Sequence, residues 1–188
     1  SGILDSMKLS AFAKKFFSEA FTLADVPEEY LAQKDGVMLM SSGKIHKANE
    51  GCACTMNSIL EQFVKHLTLG KDEIALLDME AGVEHFGRGV DNEVDCILMI
   101  VDPSFESLRL TKKIKELGES IHKEVYFVLN KVDVDNISTM QELISAPDRV
   151  LTAIPADPEI SKAGLLGEEL SMQSLYIQKL AVDILGLQ

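Results

Sequence analysis

The chain has 188 residues, 46% of them hydrophobic and 26% charged, which is the mix of a folded domain and excludes a disordered tail or a fibrous repeat. Thirty acidic residues against eighteen Lys and Arg leave a net charge of −12, a poor match for a nucleic-acid backbone. No apolar run reaches the roughly 18 residues of a bilayer span and there is no leader pattern; the three cysteines, odd in number, are too few for a disulfide framework. The expectation is one cytoplasmic domain, 1–188, with neither a nucleic-acid nor a membrane partner.

Apolar periodicity switches repeatedly between helical and strand patterns along the chain. Phe12, Ala13, Phe16, Phe17 and Ala20 follow Leu9 at helical spacing and predict one greasy helix face, ended by Val26-Pro27-Glu28-Glu29. Val37 to Met40 predicts a short strand. A second helix is expected with the stripe Ile59, Leu60, Phe63, Val64 and Leu67, capped by Thr55 or by Ser58 with Glu61, and ended by Gly70.

Three continuous apolar runs, Ile74 to Leu77, Cys96 to Val101 and Val125 to Leu129, read as buried parallel strands. A helix over about Glu106 to Leu117, stopped by Gly118, separates the last two. Val150 to Ile154 predicts a weaker strand ending at Pro155. A final helix over about Ser171 to Leu187 turns Leu175, Leu180, Ile184 and Leu187 inward. Strand and helix in regular alternation predict an α/β fold with a doubly wound, mostly parallel sheet. Such sheets bind ligands beyond the carboxyl ends of their strands, so the residues after each run carry the functional reading.

Asp78-Met79-Glu80-Ala81-Gly82 follows the first run. A carboxylate at the end of a buried strand suits a water-mediated Mg²⁺ contact, and Gly82 would let backbone N–H approach a phosphate. The alternative is a capping Asp in a plain turn. Asn130-Lys131-Val132-Asp133 follows Val125 to Leu129. Its Asn can read a purine edge as donor and acceptor, and a downstream Asp can accept two N–H bonds from guanine; both are also ordinary turn residues. Pro155-Ala156-Asp157 could wall the other side of a base pocket.

Gly51-Cys52-Ala53-Cys54 lies just ahead of the expected second helix. N–H groups at a helix start favour thiolate, so Cys52 and Cys54 are candidate ligands of a soft-binding metal. Two sulfurs make half of a four-ligand site, and a two-fold axis would complete it, so metal and dimer are expected to form together. The bland alternative is two small residues packing at a helix start. Cys96, inside an apolar strand, reads as inert core, and the Met residues read as filler. His46, His66 and His122 read as solvated; His85, in Glu84-His85-Phe86-Gly87-Arg88-Gly89, follows the Asp78 loop.

GCAC before a helix, a strand ending DMEAGVEHFGRG, then VDCILMIVDPSFESL, VYFVLNKVD and AIPAD resemble the carbon-monoxide dehydrogenase maturation ATPases (CooC type) of the MinD/ParA/nitrogenase-iron-protein group of deviant P-loop ATPases. The resemblance runs from about Met38 to the C-terminus. It implies a homodimer that hydrolyses ATP with Mg²⁺ and assists nickel insertion into carbon monoxide dehydrogenase, with nickel or zinc at the Cys pair. It also implies the Mg²⁺ role for Asp78, γ-phosphate sensing for Gly82, the nucleotide-base site for Asn130, Lys131, Pro155 and Asp157, and metal ligation for Cys52 and Cys54.

The phosphate loop of that group is not found in this sequence. No Gly-x-x-x-x-Gly-Lys-Ser/Thr string occurs, and Gly43-Lys44 lacks both the Gly five residues earlier and a following Ser or Thr. The expectation is therefore a P-loop NTPase-like fold without its first strand and phosphate loop, and a chain that does not hydrolyse nucleotide by itself. Two other readings stay open: a GTPase-class metallochaperone, motivated by Asn130-Lys131-Val132-Asp133, and a non-enzymatic dimeric metal-binding module.

Overall fold

A computed structural model describes residues 19–41, 53–79 (backbone alone at 53–59), 83, 86, 89–170 and 174–187. Contacts divide the chain into two compact units, Ser1–Val94 and Asp95–Gln188.

The second unit is an α/β unit built on a parallel sheet. Taking elements in chain order, β1 (Ala32–Lys34), β2 (Val37–Leu39) and α1 (Ala53–His66) belong to the first unit. β3 (Cys96–Val101), α2 (Phe105–Ser120), β4 (Glu124–Val132), α3 (Ile137–Leu143), β5 (Val150–Pro155), α4 (Pro158–Leu166) and α5 (Leu175–Leu185) make up the second. The sheet order is β3-β4-β5, all parallel, as the alternation of runs predicts. β4 is central, and Phe127, Val128 and Leu129 have no exposed surface. Both faces of a middle strand are covered in such a sheet, which is why Val125 to Leu129 reads as an unbroken apolar run.

Local signals place the helices. Ser104 caps α2 by accepting from the Ser107 N–H at 3.2 Å. Pro158 opens α4 behind the cap residue Asp157, and Gly167, with φ of 67°, closes it in the left-handed conformation that glycine adopts freely. Ser174 caps α5. Thr111, buried on α2, donates to the Leu108 carbonyl at 2.7 Å, so its hydroxyl is satisfied inside the core.

In the first unit, Phe21 and Val26 form a small core with Tyr30, Leu31, Phe63 and Leu67 around them. The Phe21 and Phe63 rings sit 4.9 Å apart and tilted by 59°, a favourable aromatic arrangement. Phe21 also bridges to Leu67, its N–H donating to the His66 carbonyl and its own carbonyl accepting from Thr68. His66 is half-buried, its Nδ1 at 2.9 Å from the Gln62 carbonyl, rather than simply solvated. The Val37 strand forms as β2, but as half of an exposed antiparallel hairpin with β1.

Several expected elements differ. No strand forms at Ile74–Leu77, where Ile74 is 47% and Leu76 82% exposed. A run becomes a buried strand only if neighbours take its N–H and C=O groups, and no described strand pairs with it. β3 is half-buried rather than buried, with Val101 alone fully covered, because β4 flanks it on one side in the described sheet. α1 begins at Ala53, so Thr55 and Ser58 lie inside the helix and not at its cap. Among the expected inward residues of α5, Leu180 and Ile184 are half-buried while Leu175 and Leu187 are exposed. The stripe of the expected first helix lies outside the described residues except for Ala20.

Gly118 does not stop α2; it lies inside the helix and is buried. A Cβ there would overlap the Val125 side chain and come within 3.1 Å of the Lys123 carbonyl oxygen. Gly118→Ala therefore trades about 1 kcal/mol of helix propensity against overpacking of roughly 1–3 kcal/mol at the helix–sheet contact. The expected result is a lower urea midpoint with an unchanged slope.

Candidate functional site

The carboxyl ends of the parallel strands bring Asp102, Asn130 and Lys131 together, and Pro155 pairs with Val132 at the end of the next strand. Asp102 directly follows β3. Asn130 Nδ2 donates to Asp102 Oδ1 at 2.9 Å, and Lys131 Nζ donates to Oδ2 at 2.6 Å. The loop after β3 is fixed as well, because the Asp102 N–H donates to Ser107 Oγ at 3.1 Å and the Ser104 N–H to the Asp102 carbonyl at 2.7 Å.

This geometry depends on a bulge. Leu129 pairs with Ala153 and Val132 with Pro155, so β4 spends two residues, Asn130 and Lys131, where β5 spends one. Lys131 takes a φ of +54°, a left-handed conformation that costs a residue bearing a Cβ roughly 1–2 kcal/mol. Its ion pair with Asp102 is 60% and 43% exposed and contributes about 0–1 kcal/mol. The pair alone does not offset the strain. Backbone strain held by surrounding ladder bonds, at the end of a central strand, is a mark of a functional position.

Burial by itself would raise the pKa of Asp102. The hydrogen bonds from Lys131 and Asn130, with the Lys131 charge, outweigh burial and hold the carboxyl below its usual range.

Asp133 and Asp157 serve the backbone. Asp133 Oδ1 accepts the N–H groups of Asp135 and Asn136, both at 2.9 Å, and its own N–H donates to Asn136 Oδ1 at 3.0 Å. Half of its carboxylate is thus committed to a turn, which weighs against the guanine reading. Asp157 Oδ1 accepts from Glu159 and Ile160 at 2.8 and 3.3 Å as the α4 cap. The Ala156 N–H donates to the Val132 carbonyl at 3.0 Å and keeps the Pro155 segment against the end of β4.

The remaining candidates belong to the first unit. Asp78 is exposed. Cys54 directly follows Ala53, the first described residue of α1. Cys52, Gly82 and His85 lie outside the described residues. Cys96 is half-buried on β3; burial, then the neighbouring Asp95 charge, pushes its thiol up and keeps it protonated and unreactive.

Asp102 was not singled out by the sequence reasoning. Its signal was there, an acidic residue directly after the run Cys96–Val101, in the same place relative to its strand as Asp78 to its own run. A separate open groove of about 600 Å³ lies between α2 and α3, lined by Phe105, Leu108, Met140 and Leu143. Asn130, Lys131 and Pro155 do not line it.

No family model matches the chain. An uncharacterized ATP-binding protein of Methanocaldococcus jannaschii is 43% identical over 178 residues, covering 95% of this chain and 71% of that protein. The carbon monoxide dehydrogenase accessory protein CooC of Rhodospirillum rubrum is 30% identical over 148 residues, 76% of this chain and 55% of CooC. The chain belongs to this CooC-like family of ATP-binding proteins. A second uncharacterized ATP-binding protein of the same archaeon is 33% identical over 141 residues, 73% of this chain and 55% of its own length. The chain thus spans little more than half of two of these relatives. Within the described residues of this CooC-like chain, no helix is long and apolar enough to cross a membrane.

The lowered pKa of Asp102 fixes a pH dependence. A carboxylate whose folded pKa lies below its unfolded value of about 3.9 contributes stability that is present above that value and lost as pH falls through the folded pKa. A carbon-13 titration of Asp102 should therefore give a midpoint below that of an exposed Asp. Asp102→Asn should flatten the acid limb of the stability curve, and an ordinary midpoint would contradict the geometry.

Proposed function

We propose that this chain is the nucleotide-base and metal-handling part of a nickel maturation factor for carbon monoxide dehydrogenase, acting as a homodimer with ATP. The observation that carries the reading is that Asn130 and Lys131 meet on Asp102 at the end of β4, beside the strand that ends at Pro155, in a chain akin to CooC. In a parallel sheet that position is where nucleotides bind.

Asn130 reads the base and Pro155 packs against it, with Asp157 shaping that wall through the α4 cap. Asp78 holds Mg²⁺ through water, and Gly82 lets backbone N–H meet the γ-phosphate. The chain has no phosphate loop in its sequence, so tight phosphate binding and hydrolysis are not expected of it alone.

The metal, nickel or zinc, is cargo held by Cys52 and Cys54. The thiol donor set suits either ion. N–H groups at a helix start, where the pair lies in the sequence, are left for a negative partner and favour thiolate. Two chains are needed to supply four sulfurs, so binding of the ion and pairing of subunits are one event. A nucleotide-dependent change in the segment 78–89 would alter that two-fold contact and so the hold on the metal.

The test is metal content together with oligomeric mass, with and without chelator. About one metal ion per two chains is expected, with both metal and dimer lost on chelation and in Cys52→Ser and Cys54→Ser. A dimer that forms without metal and survives both substitutions would overturn the metal-linked dimer.

A further inference from the structure

We propose that Asp102 is a positioning residue that sets purine specificity, holding the Asn130 amide in the one orientation that suits adenine. This rests on the reading of Asn130 as the base-contacting residue.

The argument begins with donor and acceptor inventories. An Asn side chain carries an acceptor oxygen and a donor nitrogen of nearly equal size, and a half turn about its last bond exchanges them. What faces the amide decides which end lies inward. Ser, Thr, Asn or water can donate or accept and would tolerate either orientation. An ionised carboxylate only accepts, so the end facing Asp102 Oδ1 at 2.9 Å must be Nδ2. The depressed pKa keeps that carboxylate ionised at neutral pH.

One Nδ2 hydrogen is thereby spent on Asp102. The second hydrogen and Oδ1 are left side by side as a donor–acceptor edge of fixed order. Adenine presents the complement, an acceptor N7 beside a donor N6 amino group, and Asn meets it with two bonds. Guanine presents two acceptors, N7 and O6, on the same edge, so the fixed Asn oxygen would face O6 with no proton between them.

Lys131 completes the lock. It holds Oδ2, so Asp102 cannot swing both oxygens toward other donors, and the bulge at Asn130–Lys131 places both donors at the end of β3. The loop bonds from Asp102 to Ser107 and Ser104 fix the backbone that carries the carboxylate.

The experiment compares adenosine and guanosine binding to the purified chain by calorimetric titration, for wild type, Asp102→Asn and Glu124→Gln, because a nucleoside tests the base site without calling on a phosphate loop. Asn at 102 keeps the shape but can face Asn130 with either end, so adenosine affinity should fall several-fold, while guanosine, whose two acceptors neither orientation of the amide complements, should change little. Glu124, paired with Arg149 at the opposite end of β4, serves as a charge-removal control that keeps the adenosine affinity. An adenosine affinity undiminished in Asp102→Asn overturns this inference and leaves the nucleotide reading standing. A wild-type chain that binds neither nucleoside overturns the nucleotide reading and this inference with it.

A second measurement needs no variant. In the free wild-type protein, the Asn130 side-chain N–H resonances should move with the carbon-13 titration of Asp102. Resonances that ignore that titration would show that the lock does not exist in solution.

Discussion

Two donors from consecutive residues converge on one half-buried carboxylate, and the strand ends of the α/β unit are arranged around that meeting. Asn130 and Lys131 reach Asp102 because β4 carries an extra residue there, and the extra residue is tolerated because Lys131 accepts a left-handed backbone. Each contribution is small. A partly exposed ion pair adds about 0–1 kcal/mol and a hydrogen bond to a charged group roughly 1.5–3 kcal/mol, against the 1–2 kcal/mol of strain. The sum is close enough to balance that stability does not explain the arrangement. What the arrangement does secure is direction, since a regular strand would turn Asn130 and Lys131 to opposite faces of the sheet.

The acidic residues around the strand ends divide by what they bond. Asp133 and Asp157 accept backbone N–H groups at 2.8 to 3.3 Å, and Ser104 caps α2 in the same manner. Those contacts end turns and start helices; they would be present whether or not a ligand bound nearby. Among these three acidic residues, Asp102 is the one whose described carboxylate bonds go to side chains, and those side chains belong to the segment most open to a functional reading. The distinction between capping and positioning cannot be made from residue type, because Asp serves both ends equally well. It is made by the partner.

That difference explains what was legible in the sequence. β4 could be read because both of its faces are covered, so Val125 to Leu129 is apolar without a break, and α2 could be read as the helical stretch between two apolar runs. α3 and α4 were missed: with seven and nine residues they are too short for periodicity to stand out, although Pro158 directly after Asp157 is a helix-start signal. Ile74 to Leu77 has the composition of a buried strand, but composition cannot supply a neighbour to pair with. Gly118 was read as a stop because glycine weakens helices, whereas the deciding fact was the Val125 side chain pressing on it, a contact across the α2–β4 turn. At the site, Asn130, Lys131 and Pro155 were found from their places after apolar runs. Asp102 obeys the same rule, yet its partners lie 28 and 29 residues away, and a local motif does not reveal a bond of that reach.

The choice of a charged residue at 102 has a further electrostatic consequence. The chain carries −12 overall, and a nucleotide brings several more negative charges. A bare carboxylate beside the proposed base site would repel such a ligand, whereas a neutral hydroxyl or amide would lose the acceptor-only character that orients Asn130. Lys131 resolves the conflict by neutralising Asp102 at 2.6 Å while leaving its acceptor function intact. The positive charge sits on one carboxylate oxygen and the amide on the other, so neither competes for the same lone pairs. Asp102 and Lys131 thus act as a zwitterion with no net charge at the strand end. Replacing either residue alone changes both the local charge and the freedom of the Asn130 amide, which makes the three residues one unit rather than three contacts.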